Sequence, residues 1–129
     1  MRKHTTIHSL RTQVHQDRRE GRTIALVPTM GFLHEGHLEL IRHASCLAPC
    51  VYVSVFVNRL QFGPTEDFGR YPRDLERDVT MAKGAGATDL FAPGEDELTP
   101  EGSMVRIVPG GLGDHLCGRS RPGHFAGVL

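Results

Sequence analysis

Two histidines three positions apart, His34 and His37, lie within the string Val27-Pro28-Thr29-Met30-Gly31-Phe32-Leu33-His34-Glu35-Gly36-His37-Leu38. An apolar run precedes this string and helical spacing follows it, so it sits where a strand hands over to a helix. Such a junction gathers free backbone N–H groups and the positive end of a helix dipole, which suits a phosphate. An imidazole placed there donates a hydrogen bond whether neutral or charged, and meets the charge that develops as a phosphoryl group reacts. Gly36 has no Cβ to keep a ligand from the backbone. By itself the His-x-Gly-His pattern fits two surface histidines flanking a helix cap equally well. A metal reading is poorer: no third ligand is evident, and His34-Glu35-Gly36-His37 is not the His-Glu-x-x-His of zinc proteases.

The elements that must position these residues follow from periodicity. Ile7, Leu10 and Val14 recur at helical spacing over Ile7 to Glu20, and Gly21 ends that helix. Ile24 to Val27 reads as a buried strand. Gly36 to Ala48 reads as a helix with Leu38, Ile41 and Ala44 on one face. The β-branched and aromatic run Val51 to Val57 is a strand. Asp74 to Lys83 is expected to be helical with Leu75, Val79 and Ala82 inward, ended by Gly84 or Gly86. Thr88 to Ala92 and Met104 to Val108 read as further strands, and Leu112 to Cys117 as a short helix. Alternating strands and helices predict an α/β fold with a parallel sheet. Ligands of such sheets bind beyond the carboxyl ends of the strands. The segments Pro28 to His37 and Asn58 to Pro72 both follow strands directly and are expected at that rim.

Bulk properties narrow the function classes. The chain has 129 residues, enough for one domain with a modest core. Fifteen basic and fifteen acidic residues cancel, which gives no reason to expect nucleic acid as a partner. No apolar run approaches a membrane span or follows the amino terminus as a signal peptide would. Three cysteines, Cys46, Cys50 and Cys117, lack framework spacing, so reduced thiols in a cytoplasmic protein are the simplest reading. Pro49 argues against a continuous helix bearing both Cys46 and Cys50.

The longer string Val27 to Gly31, the histidine motif and the run Phe56-Val57-Asn58-Arg59-Leu60-Gln61-Phe62-Gly63-Pro64 together resemble the pantothenate synthetase (pantoate–β-alanine ligase) family. The resemblance continues through Glu66-Asp67-Phe68, Arg70-Tyr71-Pro72-Arg73 and Ser120-Arg121-Pro122-Gly123-His124-Phe125, covering the chain from about Gly21 onward. It implies a Rossmann-type domain of the His-x-Gly-His nucleotidyltransferase superfamily, a smaller C-terminal domain, and a homodimer. The implied reaction joins pantoate to β-alanine at the expense of Mg-ATP, through pantoyl adenylate, with release of pyrophosphate and AMP in the cytoplasm. On this resemblance Met30, Gly31, Phe32, Leu33, His34, Glu35, Gly36 and His37 hold ATP, with His34 and His37 on its phosphates and His37 as proton donor. Gln61 and Asn58, with Pro28, Thr29 and Met30, would take pantoate and β-alanine. The protein side chains of this segment would supply no metal ligand.

Read without the resemblance, Asn58 and Gln61 are amides of the kind that cap turns. Arg121 and His124 lie in a loop flanked by Gly and Pro and are possible site residues. Arg70 and Arg73 are expected to fix the loop or pair with Asp74 and Glu76; Phe62 and Tyr71 are expected to pack.

Two departures from the family pattern stand out. Arg59 replaces a usual proline, loosening the loop and adding a charge beside the implied pantoate site. The chain also ends at Gly127-Val128-Leu129, where the family continues into a Gly-x-Lys-Asp type motif, a Met-Ser-Ser-Arg type motif and its C-terminal domain. Residues 1–129 are therefore expected to form an N-terminal nucleotide-binding domain incomplete at its carboxyl end. Three readings compete: the N-terminal part of an active ligase, a remnant that binds nucleotide or pantoate without turnover, and an interaction module that binds no ligand. The intact His34, His37, Asn58 and Gln61 favour the first two.

Overall fold

Alternating side chains on neighbouring strands separate an apolar face of the sheet from a polar one. The strands come from a computed structural model that describes residues 1–63, 68–99 and 107–129. These residues form two compact units, Met1–Val57 with Pro72–Leu98, and Asn58–Tyr71 with Thr99–Leu129.

The first unit holds a parallel sheet of β1 (Arg2–His4), β2 (Ile24–Thr29), β3 (Cys50–Val55) and β4 (Asp89–Phe91), in the order β1-β4-β3-β2. The pairing aligns Val27, Val53, Leu90 and Lys3 in one row across the sheet, and Leu26, Tyr52, Asp89 and Arg2 in the next. Successive rows face opposite sides. The valine–leucine face packs against the helices α2 (Glu35–Leu47) and α3 (Leu75–Gly84), burying Leu33, Leu38, Ile41, Ala44 and Ala82. Pro28, which has no N–H, is tolerated because β2 is an edge of this sheet.

Polar residues dominate the other row. Helix α1 (Ile7–Arg19) has Ile7, Leu10 and Val14 half-buried, as its spacing predicts, and the next residue of that series is the fully buried Asp17. Its carboxylate accepts hydrogen bonds from the Tyr52 hydroxyl, from Arg22 Nη2 at 2.8 Å and from Gln13 Nε2 at 3.0 Å. Asp89, equally buried, is gripped by Arg2 through Nε and Nη2, both at 2.7 Å. His4 Nε2 donates to the same carboxylate at 2.8 Å, and Thr88 Oγ1 donates at 2.8 Å. Burial acts to raise the pKa of both aspartates, but their hydrogen bonds and arginine partners outweigh it and hold both below the usual carboxylate value. The Tyr52 hydroxyl is pushed upward by burial and by donation to Asp17.

Several expected elements shift. The sheet gains β1 at the amino terminus, a three-residue strand whose alternation is too short to read. In α3, Leu75 is 44% exposed and Asp78 takes the buried position instead, with Val79 half-buried and Ala82 fully buried. The helix ends as expected at glycine: it runs through Gly84, and Gly86 adopts φ +107°. Two short helices also form, α4 (Glu95–Leu98) in this unit and α5 (Cys117–Ser120) in the second. The expected helix Leu112 to Cys117 is divided between a 3₁₀ turn at Gly111–Asp114 and α5, because Leu116 at φ +51° breaks it. Of the expected strand Met104 to Val108, residues 104–106 lie outside the described residues, and Ile107 and Val108 are irregular.

In the second unit, a 3₁₀ turn at Arg59–Gln61 packs against α6 (His124–Val128). Phe62 stacks edge-on with Phe68 and Tyr71, at centroid distances of 5.4 and 5.9 Å, which is the packing expected of Phe62 and Tyr71.

Neutralising a buried partner leaves the other charge uncompensated. Asp89→Asn is expected to lower the unfolding free energy by about 3 kcal/mol, measured by urea denaturation. Because Asp17 and Asp89 have depressed folded pKa values, their stabilisation is present above the unfolded carboxylate pKa and is lost as pH falls below it. The urea midpoint should therefore drop below roughly pH 4, and less steeply in Asp89→Asn.

Candidate functional site

The turn between β2 and α2 carries two consecutive residues in the left-handed region, Gly31 at φ +80° and Phe32 at φ +49°. A Cβ on Gly31 would lie 2.8 Å from Val55 Cγ1 and 2.9 Å from Asp78 Oδ2, so glycine is required on two counts. The turn is held by hydrogen bonds that the sequence does not announce. Thr29 Oγ1 donates to the Ser54 carbonyl at 2.7 Å and accepts from the Gly31 N–H at 3.1 Å. Asp78, 1% exposed, accepts from the Phe32 N–H at 2.8 Å and the Leu33 N–H at 2.7 Å. Arg77 lies over the Phe32 ring, 5.1 Å from its centroid, and 3.9 Å from Asp78.

Helix α2 begins one residue earlier than its spacing suggests, with His34 itself as the N-cap. His34 Nδ1 accepts from the Gly36 N–H at 3.2 Å, and His37 Nδ1 accepts from the His34 N–H at 3.3 Å. This is a capping box built from two imidazoles, with ring centroids 4.0 Å apart. The expectation of free backbone N–H groups is narrowed here. The amides of Gly31, His34 and Gly36 have acceptors within the turn, those of Phe32 and Leu33 bond Asp78 on α3, and those of His37 and Leu38 bond the His34 carbonyl, which leaves the Glu35 N–H as the open amide of the first turn. Gly36 also serves differently: a Cβ there would lie 3.1 Å from His34 Cε1, so its absence makes room for the neighbouring ring.

With Nδ1 accepting on each ring, the proton of each neutral imidazole resides on Nε2, leaving two Nε2–H donors. His37 has its pKa lowered, first by burial and then by His34, with Asp78 opposing. It is therefore neutral at pH 7 and remains a donor. Glu35 pairs with Arg42 at 2.6 Å on the exposed side of α2, and the Leu33 side chain is fully buried in the core.

Met30 and Gly31 line an open cleft of about 270 Å³ at the carboxyl ends of the strands. Its other walls are Val55 at the end of β3 with Phe56 and Val57 after it, Arg73–Leu75 and Asp78 from the start of α3, and Ala92–Glu95 after β4. The Ala92–Glu95 segment was not singled out from sequence, although it too follows a strand directly. Pro28 and Thr29 end β2 beneath the turn, and Thr29 is engaged by Ser54 and Gly31.

The second unit gathers the remaining candidates. Asn58 caps its 3₁₀ turn by accepting from the Leu60 N–H at 3.0 Å, and its Nδ2 donates to the Gly127 carbonyl at 2.8 Å. Arg121 Nη2 donates to the Gln61 carbonyl at 3.2 Å, and His124 Nδ1 lies 3.0 Å from the same oxygen. Arg121 and His124 thus brace the backbone of Gln61. Among the described residues, no three His, Cys, Asp or Glu side chains group as a metal site, and no helix is long and apolar enough to cross a membrane.

Comparison with known proteins bears on the whole chain. The profile of the Pantoate-beta-alanine ligase family matches residues 2–129. The Pantothenate synthetase of Desulfitobacterium hafniense is 54% identical over 122 residues, covering 95% of this chain and 43% of that protein. The Pantothenate synthetase of Carboxydothermus hydrogenoformans is 51% identical over 129 residues, 99% of this chain and 46% of its own length. The crystal structure of Pantothenate Synthetase from Thermus thermophilus superimposes with a TM-score of 0.90 at 49% identity, over 99% of this chain and 45% of the other. Pantoate-beta-alanine Ligase from Francisella tularensis, solved with Beta-gamma ATP and Beta-alanine, gives 0.85 at 37% identity, over 98% of this chain and 49% of its own. The fold is thus the nucleotidyltransferase-like α/β fold of these structures, and the chain spans somewhat under half the length of the relatives it matches.

Gly31→Ala is expected to destabilise the fold by about 2 kcal/mol in urea unfolding, from a disfavoured φ and two close contacts. His37 should titrate below the ordinary value near 6.5 in imidazole NMR. The unfolded chain then takes up this proton first, so the His37 contribution to stability falls as pH drops below about 6.5. That slope should be absent in His37→Ala.

Proposed function

Because the chain belongs to the pantoate–β-alanine ligase family, we propose that it is the ATP-binding, N-terminal part of an enzyme that condenses pantoate with β-alanine. The observation that carries this reading is the pair of Nε2–H donors left by the double-imidazole cap, set at the carboxyl rim of a parallel sheet. A triphosphate needs donors there, and most backbone amides of the turn are already engaged.

In the proposed first step the pantoate carboxylate oxygen attacks the α-phosphorus of ATP. The bond to the bridging oxygen breaks, giving pantoyl adenylate and pyrophosphate. The β-alanine amine then attacks the acyl carbon, forming pantothenate, and AMP leaves. Phosphoryl transfer of this kind depends mainly on positioning and charge stabilisation. His34 and His37 are proposed to donate to the phosphates, Mg²⁺ arriving with the nucleotide. Met30 to His37 would form the ATP-facing wall. Gln61, with Asn58, Pro28, Thr29 and Met30, is proposed to hold pantoate and β-alanine, the Gln61 amide donating to one group and accepting from another. The brace from Arg121 and His124 to the Gln61 carbonyl would keep that side chain in place. A homodimer in the cytoplasm is the assembly and location proposed for the whole ligase.

A second reading is nucleotide binding without turnover, since the two imidazoles offer donors to a phosphate whether or not a reaction follows. Pantoate-dependent exchange between ATP and labelled pyrophosphate separates the two. Exchange by the purified chain, lost by about a hundredfold or more in His37→Ala, supports adenylation. Binding of MgATP by a folded chain with no exchange supports the second reading. In an active ligase, Gln61→Ala should raise the pantoate requirement while sparing the ATP requirement; an unchanged pantoate dependence would overturn its role.

A further inference from the structure

The buried carboxylate of Asp78 is used by no step described so far. It lies on α3, is 1% exposed, and reaches across to the turn at Phe32 and Leu33, 46 and 45 residues away in the chain. Both of its oxygens are committed to those two amides. The residues it grips are the left-handed Phe32 and the fully buried Leu33, immediately before the N-cap His34. A carboxylate holding two adjacent amides fixes the peptide plane between them, and hence the direction in which the chain enters α2. The His34 N–H that bonds His37 Nδ1 follows directly on those two amides, so its direction is set by the same run of peptide planes. Arg77, next to Asp78, covers the Phe32 ring and closes the turn from outside.

We propose that Asp78 is a positioning residue for the His34–His37 donor pair, locking the turn before α2 so that both imidazoles keep Nδ1 on the backbone and Nε2–H free for phosphate. The assignment rests on the nucleotide-site reading above, but the clamp can be tested without nucleotide. The groups that bear on His37 are His34 at its own junction and Asp78 from α3; Asp78 opposes the lowering caused by burial and by His34. Removing its charge should therefore move the His37 titration further downward.

The test compares the chain with Asp78→Asn and Asp89→Asn. Asp89 belongs to the polar network on the other face of the sheet, where a buried carboxylate is likewise gripped by donors. Imidazole ¹H–¹⁵N NMR gives the tautomer and titration midpoint of each ring, and calorimetric titration with MgATP gives its dissociation constant. The expected result is that Asp78→Asn loses the single Nε2–H tautomer, lowers the His37 midpoint and weakens MgATP about tenfold. Asp89→Asn should change stability alone. Unchanged tautomers and midpoint in Asp78→Asn, or the same changes in Asp89→Asn, would overturn the assignment. If the unsubstituted chain fails to bind MgATP, the nucleotide-site reading falls, and the tautomer and midpoint still decide the role of Asp78. If Asp78→Asn does not fold, hydrogen exchange in the unsubstituted chain decides. Phe32 and Leu33 amides protected like those of β3 support the clamp, and exchange at the rate of open loop amides refutes it.

Discussion

The two hydrogen bonds from the Phe32 and Leu33 amides to Asp78 are the constraint on which the carboxyl rim of the sheet depends. A turn with two successive positive φ values points its amides inward, where water cannot satisfy them. An unmet buried donor costs roughly 1–3 kcal/mol, enough to favour another turn altogether. A carboxylate supplied by a neighbouring helix removes that cost for two amides at once. It also sends Leu33 into the core and leaves His34 at the first position where a helix can be capped.

Capping by imidazole has a chemical consequence. Serine or aspartate at an N-cap would satisfy the backbone and offer no N–H donor outward. Histidine satisfies the backbone with one ring nitrogen and retains a proton on the other. Two such rings lie 4.0 Å apart, and burial, with the proximity of its neighbour, lowers the pKa of His37 and so favours its neutral, donating form. That suits a reaction at phosphorus in which negative charge is redistributed among oxygens.

Buried charge is divided between the faces of the sheet. Asp78 on α3 belongs to the face with the apolar core and organises the turn, whereas Asp17 and Asp89 bind Arg22, Tyr52, Arg2 and His4 on the opposite face. The second group ties the short β1 and the end of α1 to the sheet where few apolar contacts are available. Each of these aspartates is fully satisfied, which makes its burial tolerable.

The sequence by itself determined the alternation of strands and helices, the apolar stripe Leu38–Ile41–Ala44, the glycine stop of α3 and the strings that mark the family. These are local signals: period, turn chemistry and residue order survive in one dimension. Only the tertiary structure decided that Asp78 and not Leu75 is buried in α3, that Asp17 completes the inward series of α1, and that Arg2–His4 is a strand. It also decided that most backbone amides around the two histidines, those of Phe32, Leu33, His34 and Gly36 among them, are occupied by internal acceptors, with the rings as further donors. The physical reason is common to all of these. A polar group enters the interior when partners distant in sequence meet it there, and periodicity registers hydrophobicity along the chain but not the partner that makes burial of a charge possible.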